Sequence, residues 1–580
     1  MKRHLVLFFS LICISSVGAE PSWKQTLESE YKWSKITTIG TLLVSTDKSL
    51  LNINPTDGNI IWQRDDLTEL SPFNVSAIAG MPLLMVNKHE GVAPPKTRLQ
   101  LISIETGKSL WDTGIFAATN LTAIPIPSHN LVLYAADHSG STPWGKNGTN
   151  LKQGSYVSAL KLDTGEVVYN TLYDDLKNAI RHPSDNSGGW IPDMDLAGHP
   201  SPVIEGDIIY LPFTGVTAIN IVSGKIIWNT TFKTANQSLK FTNASPIISN
   251  NNIYTSGFGY IYAINKTTGE IIWKSKVGKG YHIPELLITD KLIIGRIGGS
   301  FSNGKDIVQA KPFGVIALKR ETGKKNWLWK KGEDGMTNMA IVPERNWVMV
   351  ADRTTLYALD LTAKKKAKVV KKVTLEFKRD LGTAEIAAKG ATAVSGFLSG
   401  GLFGGIQGGL KAFDSSGQED PPTNISMVDG DLIVRGQYHL LSYDNDSQDI
   451  EYSIAFQPPG MNGLALAAMG AITVVSTVAN TGLHNSWSTR NMALDNSLNV
   501  SGAFSDAVSE RYAKSAQSEN LAFFLTTKEE GLQLMGINLK DGTEVGSVPM
   551  DEKEPKFMVD DVANIIYYIR EGKEVLAYPF

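Results

Sequence analysis

The stretch YIYAINKTTGEIIW, residues 260–273, decides the fold of this chain. It holds a run of alternating apolar residues, a Thr268-Gly269 turn and a second apolar run that ends at Trp273. Alternation with a period of two is the pattern of a half-buried strand. Glycine supplies the positive φ that a tight turn needs, and the polar residue before it bonds to the turn backbone. The stretch therefore predicts a β-hairpin that ends in a buried tryptophan.

The same pattern recurs along most of the chain. The clear copies are SLLNINPTDGNIIW (49–62), LQLISIETGKSLW (99–111), YVSALKLDTGEVVY (156–169), VTAINIVSGKIIW (216–228) and GVIALKRETGKKNW (314–327). The weaker copies are TLYALDLTAKKKAKVV (355–370), YHLLSYDNDSQDIEY (438–452), LQLMGINLKDGTEV (532–545) and a terminal half copy, EVLAYPF. A lone hairpin is marginal in water, so the repetition predicts four-stranded blades packed around an axis. An array of β-sandwiches is the alternative, but it would not need an aromatic at the same place in each unit.

Two positions in each copy are predicted to join neighbouring blades. An indole buries roughly 150–250 Å², and Ala159, Ala218, Ala263 and Ala317 mark places where neighbouring sheets come close. Tyr169 takes the place of the tryptophan in its copy. The predicted blade-docking residues are Trp62, Trp111, Trp228, Trp273, Trp327 and the turn glycines Gly58, Gly107, Gly165, Gly224, Gly269 and Gly323.

The pattern Ala-x-[Asp/Asn]-x-x-Thr-Gly-x-x-x-Trp resembles the PQQ-type β-propeller repeat. The copy from Tyr262 to Trp273 is nearest to that repeat, and the resemblance runs over nearly all of residues 20–580. It implies one all-β propeller domain, with eight blades as the family norm and up to ten on the count of copies. The strand near Tyr31-Lys32-Trp33 is expected to complete the last blade beside the C-terminal strands. The fold serves both quinoprotein dehydrogenases and non-enzymatic scaffolds such as BamB, so it does not decide function.

Catalytic patterns are weak in this sequence. Its one cysteine, Cys13, lies in the predicted signal segment, so the adjacent cysteines that many PQQ alcohol dehydrogenases use are missing. DNDSQD (444–449) lacks the glycine and the acid of a calcium loop, and a solvated hairpin is the expected structure. The group Asp193, Asp195 and His199 is a weak metal candidate, and GGSFSNGKD (298–306) lacks the Ser/Thr of a phosphate loop. We therefore expect no catalytic residues, no metal and no cofactor, with PQQ and calcium as the alternative.

The repeat becomes irregular between its seventh and ninth copies. The run KKKAKVVKK (364–372) is followed by ATAVSGFLSGGLFGGIQGGL (391–410), and a second uncharged stretch includes residues 463–482. Glycines at four-residue spacing suit a helix that packs closely in lipid or on a partner. Glycine-rich loops packed on the propeller are the competing interpretation, because glycine makes a poor helix in water. Irregular inserts are expected at 378–415 and 457–515. The residues predicted to contact a membrane or partner are Phe397, Leu398, Leu402, Phe403, Ile406 and Leu410.

The N-terminal sequence and the net charge limit where the protein can act and which partners it can bind. Residues 1–19 have a basic start, a short apolar run and a small-residue cleavage site, which predicts a signal peptide. The net charge of −3 becomes −5 without Lys2 and Arg3, which argues against nucleic acid as a partner. An exported chain also meets little nucleotide. The expected protein is a periplasmic or secreted, non-catalytic scaffold that binds envelope or extracellular proteins, with peripheral membrane contact through 391–410. The alternative is a PQQ-dependent oxidoreductase that acts on alcohols or sugars.

Overall fold

The computed structural model describes residues 20–173, 194–195, 202–232, 244–377, 422–456 and 521–580. The short gaps within these ranges are 71–73, 79, 91–95, 141, 213–214, 303–306, 334–335, 423, 437, 529–530, 553–554 and 561. The regular secondary structure of these residues consists of β-strands and two 3₁₀ turns, Pro127–His129 and Pro343–Arg345. The predicted signal peptide and both predicted inserts, 378–415 and 457–515, lie outside the described residues. Those domain boundaries therefore stay predictions.

The first five units of the fold follow one another as antiparallel meanders of four strands, and units 2 and 3 are joined into one eight-stranded sheet where Phe116 and Ala117 pair with Thr97 and Lys96. Unit 1 contains β2 (Tyr31–Ile36), β3 (Leu42–Thr46), β4 (Leu50–Ile53) and β5 (Ile60–Arg64). Unit 2 contains β6 (Val75–Ala77), β7 (Leu83–Glu90), β8 (Lys96–Ser103) and β9 (Ser109–Asp112). Unit 3 contains β10 (Phe116–Ile126), β11 (Leu131–His138), β12 (Gly154–Lys161) and β13 (Val167–Leu172). Unit 4 contains β15 (Val203–Glu205), β16 (Ile208–Leu211), β17 (Gly215–Asn220) and β18 (Ile226–Thr231). Unit 5 contains β19 (Ala244–Ser249), β20 (Asn252–Gly257), β21 (Tyr260–Asn265) and β22 (Ile271–Lys276).

The remaining units continue the same order, and unit 9 shows three strands among the described residues. Unit 6 contains β23 (Glu285–Ile288), β24 (Leu292–Ser302), β25 (Ile307–Lys319) and β26 (Lys325–Trp329), and β14 (Met194–Asp195) pairs with its β24. Unit 7 contains β27 (Met339–Val342), β28 (Trp347–Ala351), β29 (Thr355–Asp360) and β30 (Val369–Thr374). Unit 8 contains β31 (Asn424–Val428), β32 (Asp431–Arg435), β33 (His439–Tyr443) and β34 (Ile450–Ala455). Unit 9 contains β35 (Leu521–Lys528), β36 (Gly531–Asn538) and β37 (Glu544–Pro549). Unit 10 contains β38 (Lys556–Asp560), β39 (Ile565–Arg570), β40 (Glu574–Pro579) and, as its fourth strand, β1 (Trp23–Thr26).

The all-β propeller-type fold predicted from the repeat is confirmed, and one of its details differs from the prediction. The described strands form ten units, which is more than the family norm of eight and equals the upper limit expected from the copies. The strand that completes the last unit is Trp23–Thr26, with Trp23 paired to Ala577, so the prediction for Tyr31-Lys32-Trp33 was wrong. Tyr31–Ile36 is instead the first strand of unit 1. The reason is the register of β1 on β40, which places Trp23 opposite Ala577, the small residue of the terminal half copy.

Aromatic docking joins consecutive units. The ring of Trp228 from unit 4 covers Gly269 of unit 5, where an added Cβ would lie 2.6 Å from the indole. The indole Nε1–H also donates to the carbonyl oxygen of Lys266, three residues before that glycine, at 3.0 Å. The same pairing of ring with glycine and of polar hydrogen with carbonyl occurs seven times among the described residues. The pairs are Trp23 with Gly58, Trp62 with Gly107, Trp111 with Gly165, Tyr169 with Gly224, Trp228 with Gly269, Trp273 with Gly323 and Tyr452 with Gly542.

Each docking glycine is required for two reasons. Its φ is positive, +75° at Gly269 and +71° at Gly165, a conformation that side chains with a Cβ rarely adopt. A Cβ would also push into the ring of the preceding unit. Tyrosine serves as well as tryptophan because its hydroxyl reaches the same carbonyl, as Tyr169 does at 2.8 Å from Ile221.

Hydrophobic packing between consecutive units closes a ring. Ten hydrophobic clusters of buried residues each combine two consecutive units, and the cluster that contains Trp23 and Tyr567 joins unit 10 back to unit 1. In units 4 and 8, a second aromatic residue, four positions after the docking aromatic, also contacts the next unit. Phe232 stacks on Tyr262 at 4.0 Å, and Phe456 stacks on Phe524 at 3.9 Å. The core is therefore a closed series of interfaces between sheets.

Replacing Trp228 with alanine should destabilise the protein strongly. The change removes a buried ring and leaves a cavity over Gly269, which for tryptophan costs about 3–5 kcal/mol. Ile227→Ala is the matched control, because Ile227 is the adjacent residue on the same strand and is 41 % exposed. Chemical denaturation should show a large fall in midpoint for Trp228→Ala and a small one for Ile227→Ala. Equal midpoints for the two variants would contradict the docking role.

Candidate functional site

The weak catalytic candidates are not gathered into a site by the described residues. DNDSQD forms the turn between β33 and β34, where the Asp444 carboxylate accepts the backbone N–H groups of Asp446 (2.7 Å) and Ser447 (3.2 Å). Hydrogen bonding to Ser447 and to these N–H groups lowers the pKa of Asp444. Within the described ranges, no three His, Cys, Asp or Glu side chains come together as metal ligands would.

Two other candidates lie mostly outside the described residues. Asp195 belongs to β14 and pairs with Phe301, whereas Asp193 and His199 are not described. Gly299 lies in β24, but Gly304 and Lys305 of the near phosphate loop are not described. The predicted contact residues Phe397, Leu398, Leu402, Phe403, Ile406 and Leu410 also lie outside. Their role stays a prediction.

A β-bulge lies near the start of the fourth strand in units 1–8 and of the third described strand in unit 9, and in units 1–6 and 8 it directly precedes an aromatic residue. In unit 5, Ala263 pairs with Trp273 and Ile264 pairs with Ile271, so Ile272 is the extra residue. The same shift makes Ile61 the extra residue in unit 1 and Ile227 the extra residue in unit 4. A bulge re-aims its side chain and interrupts the edge of a sheet. The bulge therefore holds the aromatic against the next unit and turns its neighbour outward.

The bulge residues of units 1–5 are aliphatic and exposed. We call them the bulge row: Ile61 (42 % exposed), Leu110 (44 %), Val168 (43 %), Ile227 (41 %) and Ile272 (48 %). Units 1–5 expose further aliphatic residues, namely Ile60, Ile115, Leu172, Ile204, Val222 and Ile271, of which Ile204 lies on β15, at the edge of unit 4 opposite the bulge. Exposed aliphatic residues that recur at one position in five consecutive units are a candidate interaction surface. The bulge row is the main candidate functional site.

The bulge position changes its chemistry in later units. It is Asn326 in unit 6, Val370 in unit 7, Glu451 in unit 8 and Val545 in unit 9. The exposed aliphatic residues of units 8 and 9 are fewer: Met427, Ile450 and Val545. An unbroken series of aliphatic bulge residues is therefore a property of units 1–5, because polar residues in units 6 and 8 separate the valines of units 7 and 9.

Unit 8 is acidic. Residues 422–456 contain six acids and one arginine. A cleft of about 500 Å³ between units 8 and 9 is lined by Val428, Asp429, Asp431, Glu451, Leu539 and Lys540. Burial, together with the charges of Asp444 and Glu451, raises the pKa of Asp431. Lys540 offsets part of this charge through Asp429, at 3.4 Å.

In units 7 and 8, the turn before the last strand and the end of that strand lie on opposite faces of the ring. β30 and β34 both run away from the turns that precede them, so the chain leaves units 7 and 8 on the face opposite those turns. Among the described residues, no helix has the length and the apolar character needed to cross a bilayer.

Sequence reasoning missed the bulge row, although a signal for it was present. Copies such as GNIIW, GKIIW and GEIIW place two aliphatic residues in succession before the tryptophan. In a regular strand, two successive side chains face opposite sides of the sheet. One of the two had to point away from the interface that the tryptophan fills.

A buried histidine lies between units 2 and 3. His138 is 3 % exposed and is surrounded by the rings of Phe116, Trp144 and Tyr156, at centroid distances of 5.7, 5.4 and 5.8 Å. Burial lowers the pKa of His138 to about 4. Because the ring is neutral and enclosed, it is a packing residue and offers no reactive group to solvent.

The pKa of His138 predicts a loss of stability in acid. An unfolded histidine titrates near pH 6.5, so below that pH the unfolded chain binds a proton that the folded chain does not. The contribution is fully present above pH ~6.5 and is lost as the pH falls towards about 4. Between pH 7 and pH 4.5 the wild type should lose roughly 2–3 kcal/mol more of its free energy of unfolding than His138→Phe. Denaturation curves with the same pH slope for both proteins would contradict this prediction.

A family model described as "Outer membrane protein assembly factor BamB" matches residues 7–188 and 184–327, just over half of the chain. No curated protein matches the chain. Three solved structures are weakly similar. BamB from Moraxella catarrhalis has 12 % identity and a TM-score of 0.34, over 73 % of this chain and 95 % of that one. A protein of unknown function from Bacteroides caccae has 10 % identity and a TM-score of 0.24, over 42 % and 72 %. The mitotic checkpoint complex has 11 % identity and a TM-score of 0.28, over 60 % and 96 %.

Proposed function

The chain belongs to the family described as outer membrane protein assembly factor BamB, and from that premise we propose that it is an exported, non-catalytic scaffold that binds proteins of the cell envelope. The observation that carries the proposal is the bulge row on units 1–5. Its partner is a protein with a complementary apolar surface that packs along the outer strands of these units.

Three features support a protein partner at the bulge row. The five row residues sit at the same place in consecutive units, so they form a repeated surface with fixed spacing. Ring closure makes that surface rigid, which lowers the entropy lost on binding. The bulges interrupt the strand edges, so contact through side chains is favoured over addition of another strand.

A catalytic role finds less support. The repeat also resembles that of PQQ-dependent oxidoreductases, but the sequence has no adjacent cysteines that could stack on a quinone. The proposed periplasmic or secreted location follows from the predicted signal peptide. Membrane contact through 391–410 remains a separate proposal, because those residues lie outside the described ranges.

Substituting the bulge row should abolish partner binding without unfolding the protein. The row variant carries Ile61→Ser, Ile227→Ser and Ile272→Ser. Each lost aliphatic side chain should reduce the free energy of binding by roughly 1 kcal/mol, so that the three substitutions together weaken the affinity about a hundredfold. The matched control is Met427→Ser, Ile450→Ser, Val545→Ser, three exposed aliphatic residues of units 8 and 9. Tagged proteins are purified from the envelope fraction of the native host, and a photo-crosslinker at position 110 or 168 identifies the contacted protein.

The expected result is one crosslinked protein that co-purifies with the wild type and the control but not with the row variant. Co-purification of that protein with the row variant at wild-type yield would contradict the proposed surface. Saturable binding of PQQ in the presence of calcium, with oxidation of an alcohol or a sugar, would contradict the non-catalytic role.

A further inference from the structure

The hairpin turn of unit 7 departs from the repeat of this chain. In unit 5, the paired residues Ala263 and Trp273 are ten positions apart in the sequence. In unit 7, the equivalent pair, Ala358 and Lys371, is thirteen positions apart. The longer turn contains three consecutive lysines, Lys364, Lys365 and Lys366, and all three are exposed.

This departure has a structural cost. Lys365 has a φ of +68°, a left-handed conformation that glycine adopts in the regular turns. Trp327 of unit 6 packs beside this turn and is fully buried, yet its Nε1–H has no hydrogen-bond partner. In the seven regular dockings the ring donates to a turn carbonyl. A turn that gives up both features of the repeat is a place where function, not folding, is expected to have set the sequence.

The extra lysines join others from unit 6. Asn326, the bulge residue of β26, donates from Nδ2 to the Ala363 carbonyl at 2.8 Å, so the start of β26 lies against the turn of unit 7. Around this contact lie six exposed lysines, which we call the lysine junction: Lys324, Lys325, Lys364, Lys365, Lys366 and Lys368. Among the described residues, Lys368 is the one of the six with an ion pair shorter than 4 Å, to Asp360 at 3.9 Å.

The arginines beside the lysine junction are already engaged. Arg320 donates to the Ser249 hydroxyl, to the Thr289 carbonyl (3.3 Å) and to the Tyr254 hydroxyl (3.3 Å). Arg345 donates to the carbonyls of Asn445 (3.2 Å) and Asp446 (2.6 Å) in unit 8. The cations left facing solvent are lysines, which act as mobile point charges and not as the rigid forks that bind a single carboxylate or phosphate.

We propose that the lysine junction docks the protein onto the surface of an anionic phospholipid bilayer. Clusters of four to eight basic residues at a surface are attracted by the summed field of many head groups. The six lysines project from a turn and a strand end, which suits a plane better than a single acidic side chain. The aliphatic bulge row is on units 1–5, so the two surfaces serve different partners.

The lysines of the junction belong to the turn of unit 7 and to the start of β26, whereas residues 391–410 lie outside the described residues. Removal of the lysine charges should weaken lipid binding by the full chain, whatever residues 391–410 contribute.

The test uses sedimentation of the full chain with vesicles of phosphatidylcholine alone or with about 30 % phosphatidylglycerol, at about 0.1 M salt. The junction variant is Lys364→Gln, Lys365→Gln, Lys366→Gln. The matched control is Lys108→Gln, Lys146→Gln, Lys152→Gln, which changes the net charge equally at exposed lysines of units 2 and 3. A third variant, with arginine at positions 364–366, keeps the charge. All four proteins should unfold at closely similar temperatures, because the substituted side chains are exposed.

The wild type, the control and the arginine variant should bind only the anionic vesicles, and the junction variant should bind about a hundredfold more weakly. Each lysine close to such a surface contributes roughly fivefold to binding. Equal binding by the junction variant and the control would overturn the proposal, as would equal binding of the wild type to both kinds of vesicle. Failure of the wild type to bind lipid, with self-association that the junction variant loses, would also overturn it and would assign the lysines to the acidic unit 8 of a second copy.

Discussion

The structure depends on an aromatic ring laid over the turn glycine of the next sheet. The ring excludes water from the gap between two sheets, and its polar hydrogen satisfies a turn carbonyl that would otherwise be buried without a partner. Seven described junctions use this device, and Trp23 uses it to join the two ends of the chain. Because each sheet buries its faces only against its neighbours, the ring is stable only when the series of contacts is complete. The N-terminal strand is therefore as important as any repeat in the middle of the chain.

The sequence predicted what is periodic and missed what depends on register. Repeats of alternating residues ending in Thr-Gly and tryptophan were enough for the propeller-type fold, because alternation and turn glycines are local properties. The assignment of the closing strand to Tyr31-Lys32-Trp33 failed because aromatic content does not reveal which strand pairs with β40. The bulge before the docking aromatics of units 1–5 and 8 was also missed, since an extra residue is visible only once both strands are aligned. The weak copies hid Tyr452, which docks on Gly542 as a tryptophan would.

The position beside the docking aromatic links folding to function. The core needs the aromatic, the turn glycine and the small residue opposite, and it leaves the bulge residue free to vary. Along the ring that residue is aliphatic in units 1–5, amide in unit 6 and acidic in unit 8. The hairpin turns vary in a similar way, from the neutral Thr-Gly type to the lysines of unit 7 and the aspartates of unit 8. A rigid ring thus presents different chemistry in different directions, which suits a scaffold that holds more than one partner.

The most direct test of ring closure is a disulfide between the two ends of the chain. Thr26 pairs with Glu574, so Thr26→Cys and Glu574→Cys, in a chain with Cys13→Ser, should bond in the folded protein under mild oxidation. The account predicts near-complete intramolecular crosslinking and a higher unfolding temperature, with crosslinking lost when denaturant is present. In an open stack of ten sheets the two ends would lie far apart. Failure of the folded protein to form this bond would contradict a ring closed by Trp23.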